Sequence, residues 1–262
     1  MSHRKIIFFD IDGTLWDHNN TIPESTVRAF RELRKNGHLL FICTGRARGF
    51  VNHPDLLALG FDGIVSACGT MIEYRDEIIY LHEIDKETAI KAVSSIKRHR
   101  LRPILEGKEN LYMDYEEFRG DWYGEKVRRD LGGELPSITG NWGNWHICKI
   151  SCDTTGSDRE ACFEELKDDF DFIVHGPRVT EMVPKGFNKG TGVRKTCELL
   201  GINIEDTVCF GDGVNDLDMF RACRLSICMG SGSDVAKGIA SYVTDPLFED
   251  GVYNACRYYN LI

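Results

Sequence analysis

The stretch "KIIFFDIDGTLWD", close to the start of the sequence, is an unbroken apolar run that stops at two aspartates, Asp10 and Asp12. A run without alternation fits a strand covered on both faces, the condition of a strand inside a parallel sheet. The next segments repeat the theme. "TIPESTVRAFRELRKNG" predicts a helix with Pro23 near its start, Val27, Phe30 and Leu33 on one side, and Gly37 as its stop. "HLLFICTG" and "FDGIVSACG" predict a second and a third buried strand, and "TMIEY" and "EIIYL" a hairpin around Arg75 and Asp76. This β-α-β order implies a parallel sheet with right-handed crossovers.

From about Ile84 the texture changes. "DKETAIKAVSSIKRHR" predicts a charged amphipathic helix, followed by short strands in "RPILEG" and "ENLYMD". The Gly- and Trp-rich "GNWGNWH" leads into a strand in "ICKISC", and a capping box of Ser157 and Glu160 opens a further helix. Strands in "FDFIVHG" and "VTEMVP" close this section. After Pro184 the long apolar runs return: a helix "NKGTGVRKTCELLG" ended by Gly201, strands in "DTVCFGDG" and "RLSICMG", and a terminal helix in "DGVYNACRYYNLI". The expected fold is α/β: a Rossmann-like, doubly wound parallel-sheet core of residues 1–82 and 185–262, with a smaller α/β domain of residues 83–184 inserted.

With 42% hydrophobic and 28% charged residues, the 262-residue chain has the composition of a folded, soluble protein. Its net charge of −9 argues against a nucleic-acid partner. It leaves room for an anionic substrate, because a bound metal overrides the global charge locally. The ten cysteines lie in apolar runs without a CxxC, and no secretory leader precedes "MSHRKII". Reduced, buried thiols in a cytoplasmic protein are the expectation. No apolar stretch reaches the roughly 18 residues of a membrane span, so no membrane partner is expected.

Open parallel sheets bind ligands beyond the carboxyl ends of their strands. There the first strand delivers Asp10 and Asp12, the second Thr44 in "CTGR", and a late one Asp212, Asn215 and Asp216 in "GDGVND", while Lys189 in "KGFNKG" opens the preceding helix. Clustered carboxylates repel one another, and a hard cation such as Mg²⁺ relieves the repulsion. Mg²⁺ usually completes its shell with phosphate oxygens and water, so the pattern predicts a metal and a phosphoryl group together. One carboxylate can attack phosphorus to give an aspartyl-phosphate. A second can protonate the leaving alkoxide and then activate water, with Thr44 and Lys189 on the remaining phosphoryl oxygens. Gly13 lets the chain turn out of the strand with its backbone N–H groups toward the phosphate. Taken singly these signals are weak: the paired acids can be a turn or a metal contact, "GDGVND" a solvated or Ca²⁺-like loop, and Lys189 a surface lysine. Their joint occurrence carries the reading.

In this order, "DIDGTL", "ICTGR", "KGFNKG" and "GDGVND" resemble the four motifs of the haloacid dehalogenase superfamily of phosphohydrolases. A domain inserted between the second and third motifs resembles the Cof-type sugar-phosphatase branch with its α/β cap. The resemblance implies a phosphatase of small phosphorylated metabolites, sugar phosphates among them, with Asp10 as nucleophile and Asp12 as general acid/base. Mg²⁺ would be held by the carboxylates of Asp10 and Asp212 and the backbone carbonyl of Asp12. Asp216 would support it as a ligand or through waters, with Asn215 close by. Thr44, Gly45 and Lys189 would hold the phosphoryl group. Asp12 separates the phosphatases from the dehalogenases of the superfamily.

Substrate choice would lie in the cap, with Arg46, Arg178 and Glu181 as candidate contacts. Trp142, Trp145 and His146 would form either an aromatic wall or a packed loop. Where relatives commonly have Asn-Gly-Ala, this chain has Cys68-Gly69-Thr70, and Cys68 reads as a small buried filler or a reactive thiol. Trp16 lines the entry or packs the flap. The chain would be a monomer or weak homo-oligomer. A phosphomutase is the alternative on the same scaffold, and a phospho-aspartate receiver-like signalling module the alternative of another class. Against the latter stand the inserted domain and an acid/base two residues after the nucleophile.

Overall fold

The computed structural model describes residues 4–131 and 135–262. The chain divides into two units, one comprising the chain up to Gly45, Asn52–Leu81 and Asn188–Ile262, the other Arg46–Val51 and His82–Phe187.

The first unit is built on an eight-stranded sheet, its strands numbered along the whole chain: β1 (Ile6–Phe9), β2 (Leu39–Cys43), β3 (Gly63–Ser66), β4 (Met71–Tyr74), β5 (Glu77–Leu81), β11 (Thr207–Gly211), β12 (Leu225–Cys228) and β13 (Tyr242–Val243). Their order is β13-β12-β11-β1-β2-β3-β4-β5. Strands β13 to β3 run parallel, and β4 and β5 are antiparallel. The hairpin between β4 and β5 turns at Arg75 and Asp76, both at positive φ, as a two-residue turn of matching twist requires. Helices α1 (Glu24–Lys35), α2 (Pro54–Leu57), α6 (Lys189–Leu200), α7 (Leu217–Ala222), α8 (Asp234–Ile239) and α9 (Gly251–Tyr258) belong to this unit.

Both faces of β1 are buried, which is why its sequence has no polar alternation. Phe8 joins an apolar cluster with Phe41, Val65, Val193 and Met219. Phe9 points the other way, stacking on Phe210 at 4.9 Å and meeting Phe30 of α1 at 4.7 Å. Helix α1 buries Thr26, Ala29, Phe30 and Leu33. Val27, expected on that stripe, is only half-buried.

The second unit carries a five-stranded antiparallel sheet of order β7-β6-β8-β10-β9: β6 (Arg102–Glu106), β7 (Leu111–Tyr112), β8 (Lys149–Asp153), β9 (Phe170–His175) and β10 (Val179–Pro184). Its helices are α3 (Lys86–Arg98), α4 (Trp122–Leu131) and α5 (Arg159–Leu166). Ile150, Cys152 and Met182 pack with Ala89, Val93 and Ile96 of α3 and Cys162 and Leu166 of α5. The residues alternating with them on β8, Lys149, Ser151 and Asp153, lie on the opposite face and are nonetheless buried.

Helix α5 corrects the capping expectation at Ser157. Its N-cap is Asp158, whose carboxylate accepts from Ala161 N–H at 3.4 Å, while Ser157 Oγ donates to the Thr154 carbonyl at 2.7 Å. An Asp one position on competes for the same N–H groups and has the stronger acceptor. All ten cysteines are buried and none is in a disulfide. Among the described residues no helix is long and apolar enough to cross a membrane.

Candidate active site

Sheet order alone locates the site. Strand β1 continues into β2 on one side and borders β11 on the other, so the chain order reverses at β1. Such a reversal opens a crevice beyond the carboxyl ends of the strands. Phe9 pairs with Ile42 of β2 and Phe210 of β11, which brings Asp10, Thr44 and the Asp212–Asp216 turn out at the same end of the sheet. Asp10 is fastened there by its own N–H, which donates to the Phe210 carbonyl at 3.0 Å.

Lys189 is the first residue of α6. Asn188 caps that helix reciprocally with Thr191, its Oδ1 accepting from Thr191 N–H at 2.8 Å and its N–H donating to Thr191 Oγ1 at 3.0 Å. The cap fixes where the lysine points. Its Nζ lies 2.5 Å from Asp10 Oδ1 and 2.6 Å from Asp216 Oδ1, and all three side chains are buried. Asp216 Oδ2 accepts from the N–H groups of Asp212 and Gly213, both at 2.9 Å, so Asp216 shapes the turn that carries Asp212. Asn215 sits within that turn, in the short 3₁₀ segment Val214–Asp216.

Oxygens of Asp10, Asp212 and Asp216 all lie within 4.8 Å of one another. Three carboxylates face one ammonium group. Burial, helped by Asp216 and Asp12 and opposed by Lys189, holds the Asp10 carboxyl well above its ordinary range. Burial and the Asp216 charge push Asp212 up to about 6. Burial works against a charged Lys189, but Asp10 and Asp216 prevail and hold its pKa above the usual lysine value. An excess of hard oxygen donors around a small space fits a hard divalent cation, and Asp10, Asp212 and Asp216 are the residues able to hold it.

Gly13 makes the approach of Asp212 possible. It sits at φ +79°, and a Cβ there would lie 2.3 Å from Asp212 Oδ2. Asp12 stands outside the three-carboxylate cluster and is exposed. Its Oδ1 accepts from the indole Nε1–H of buried Trp16 at 3.0 Å. Sequence reasoning marked Trp16 without seeing this bond; the four-residue loop, closed by Gly13 N–H donating to the Trp16 carbonyl at 2.9 Å, is the signal it lacked. Thr44 is buried just past β2, with its N–H donating to the Val65 carbonyl at 2.9 Å and its own carbonyl accepting from Cys68 N–H at 3.1 Å. Cys68 is a buried residue at φ 55°, a conformation that suits asparagine better than cysteine.

The remaining sequence candidates fall in the second unit. Arg178 donates to Asp121 Oδ2 at 2.9 Å and Asp153 Oδ2 at 3.3 Å, and Glu181 pairs with Lys149 at 2.8 Å. Arg46 opens the segment assigned to that unit. Trp145 is buried, with its indole N–H donating to the Ile138 carbonyl at 3.1 Å and Trp142 edge-on to it at 5.2 Å, the arrangement of a packed loop. His146 is exposed beside Glu83.

Residues 7–256 match the family described as haloacid dehalogenase-like hydrolase. YkrA of Bacillus subtilis, whose name gives it phosphatase activity provisionally, is 31% identical, with 98% of each chain covered. The 5-amino-6-(5-phospho-D-ribitylamino)uracil phosphatase YcsE of Bacillus subtilis is 27% identical over 98% of this chain and 96% of its own. Among solved structures, the HAD subclass IIB sugar phosphatase BT4131 superposes with a TM-score of 0.83 at 27% identity, covering 98% of this chain and all of that one. The protein is therefore a member of the haloacid dehalogenase-like hydrolases, on the phosphatase side of that family.

Proposed function

We propose that this phosphatase hydrolyses small phosphorylated metabolites of the sugar-phosphate class through an aspartyl-phosphate on Asp10, with Mg²⁺ as its metal. The observation that carries the reading is Asp10 itself: a buried carboxylate at the switch point of the sheet, 2.5 Å from a buried lysine and in reach of two further carboxylates. The names of YcsE and BT4131, a phosphoribitylamino-uracil phosphatase and a sugar phosphatase, favour a phosphorylated polyol or sugar as substrate.

In this mechanism a carboxylate oxygen of Asp10 attacks phosphorus and the ester oxygen leaves. Asp12 delivers its proton to that oxygen, then takes one from the water that attacks the aspartyl-phosphate, restoring both side chains. Trp16 holds Asp12 in place for both transfers. Lys189, Gly45 and the Thr44 hydroxyl hold the phosphoryl oxygens, with the lysine and the hydroxyl offsetting their charge. Bound Mg²⁺, on Asp10, Asp212 and the Asp12 carbonyl with Asp216 in support, would neutralise phosphoryl charge and align the phosphorus. The inserted domain, residues 83–184, would act as the cap that selects the substrate and sheds water. Arg46 is a candidate substrate contact. Arg178 and Glu181 serve ion pairs within their own unit and would act on substrate only by exchanging those partners.

The test is phosphate release from a panel of sugar and nucleotide phosphates, with and without Mg²⁺, alongside Asp10→Asn. Release that needs Mg²⁺ and vanishes in Asp10→Asn is the expected result. Release that survives in Asp10→Asn, or conversion of one sugar phosphate to its isomer in place of release, would overturn the proposal.

A further inference from the structure

Thr44 lies directly past β2 and Ser66 closes β3, and both belong to the first unit. Phe41, Ile42 and Cys43 pair with Gly63, Ile64 and Val65, and the same register carried one step further sets Thr44 beside Ser66. Two backbone bonds of Thr44 bracket Ser66. The Thr44 N–H donates to the Val65 carbonyl at 2.9 Å, and the Thr44 carbonyl accepts from Cys68 N–H at 3.1 Å. Paired residues of neighbouring strands stand on the same face, and successive residues alternate between faces. Cys43 and Val65 accordingly share one apolar cluster. Thr44 and Ser66 lie together on the opposite face, with Ser66 continuing the extended backbone at φ −111° and ψ 170°.

The Ser66 hydroxyl stands apart in two respects. Ser66 is fully buried, and its Oγ has no hydrogen-bond partner among the described residues. It also occupies the N-cap position of the 3₁₀ turn Ala67–Gly69, where a serine ordinarily accepts from a backbone N–H, yet its side chain makes no cap bond. A buried hydroxyl without a partner bears the cost of leaving water with nothing to offset it. The fold alone thus gives this hydroxyl no use, and the neighbour that can give it one is Thr44.

We propose that Ser66 is a positioning residue for the phosphoryl site: its hydroxyl donates to Thr44 Oγ1 when Thr44 donates to a phosphoryl oxygen. A threonine hydroxyl that donates to phosphate keeps two lone pairs with which to accept. A donor on that oxygen polarises the Thr44 O–H bond and strengthens its bond to the anion. Ser66 itself touches no substrate and takes no part in proton transfer. The proposal rests on the reading of Thr44 as a phosphoryl holder.

The test is the thermal unfolding midpoint over a titration of inorganic phosphate with Mg²⁺ present, on wild type, Ser66→Ala, Thr44→Val and the double variant. The midpoint without phosphate reads stability, and its rise with phosphate reads affinity. Ser66→Ala should weaken phosphate binding by about fivefold, the effect of losing one hydrogen bond. Its phosphate-free midpoint should stay at or above that of wild type, because no bond within the fold is lost. Thr44→Val should weaken binding by about tenfold. Ser66→Ala should then add less than about twofold to that loss, since the serine acts through the threonine. Wild-type affinity in Ser66→Ala, with Thr44→Val weakened, would overturn the role of Ser66 and leave Thr44 in place. Wild-type affinity in Thr44→Val would overturn the Thr44 reading and this proposal with it. A lowered phosphate-free midpoint in Ser66→Ala would overturn it by showing that the hydroxyl supports the fold. Additive losses in the double variant would overturn it as well, because Ser66 would then act independently of Thr44.

Discussion

Lys189 and Asp10 are 179 residues apart in the chain, and in the fold Lys189 Nζ lies 2.5 Å from Asp10 Oδ1. The lysine also bonds Asp216, so its removal leaves two buried carboxylates facing each other and Asp212. Lys189→Met is expected to lower stability by about 3–5 kcal/mol, the usual cost of breaking a buried ion pair on one side. Turnover should fall by about 10²–10³-fold, as when one fixed donor to a developing anion is lost. Urea denaturation and phosphate-release kinetics on the same preparation would check both. A variant with wild-type turnover would remove Lys189 from the chemistry.

Gly13 and Asp212 are similarly interdependent. A methyl group at residue 13 meets the Asp212 carboxylate at 2.3 Å, and the backbone there is at φ +79°. Gly13→Ala should therefore cost about 1–2 kcal/mol in backbone strain alone and displace Asp212. The expected sign is a Mg²⁺ requirement shifted upward by about tenfold or more, read from initial rates over a Mg²⁺ titration. An unchanged Mg²⁺ dependence would mean that Asp212 does not need its present position.

The pattern of what could be read from the sequence follows from the physics of each element. Strands β1, β2 and β11 were legible because strands buried on both faces are continuous apolar runs, and the polar residues that end them stand out. Helix α4, in "DWYGEKVRRDL", has no continuous apolar run to mark it and passed unread. Buried Lys149 and Glu106, with half-buried Glu181 beside them, were hidden for the opposite reason. Single charged residues on separate strands read as a solvent face, and only the fold reveals that they are withdrawn from water and paired. At the site, individual residues were legible, but the bond from Trp16 to Asp12 was not, because no residue type announces which neighbour an indole N–H will find.

That bond supports a third prediction. Trp16→Phe keeps the buried ring and deletes the N–H that Asp12 accepts. With Asp12 as acid/base, kcat should fall by about tenfold while KM changes little, because the loss is one of proton-transfer geometry rather than of phosphate contact. Steady-state kinetics on wild type and variant would decide it. A rise in KM with kcat unchanged would place Trp16 at the entry to the site instead.

Asp212 gives the site a pH signature of its own. Its carboxyl titrates at about 6 in the folded chain, against an ordinary value of 3.8, because of burial first and the Asp216 charge second. A carboxyl with a raised folded pKa binds its proton more tightly folded than unfolded. Its contribution to stability is present below the unfolded pKa and is lost as pH rises through the folded one. The window is thus about pH 4 to 6, and the shift corresponds to about 3 kcal/mol. Without divalent metal, Asp212→Asn should match wild type near the acid end of that window and exceed its stability above it. Mg²⁺ should reverse the order. It needs the ionised carboxylate, so it should stabilise wild type at about pH 8, do little at about pH 5, and do least for Asp212→Asn. Denaturation of both proteins across this range, with and without Mg²⁺, tests each step. A stability difference independent of pH would refute the raised pKa. Equal Mg²⁺ stabilisation of the two proteins would take Asp212 out of the metal site.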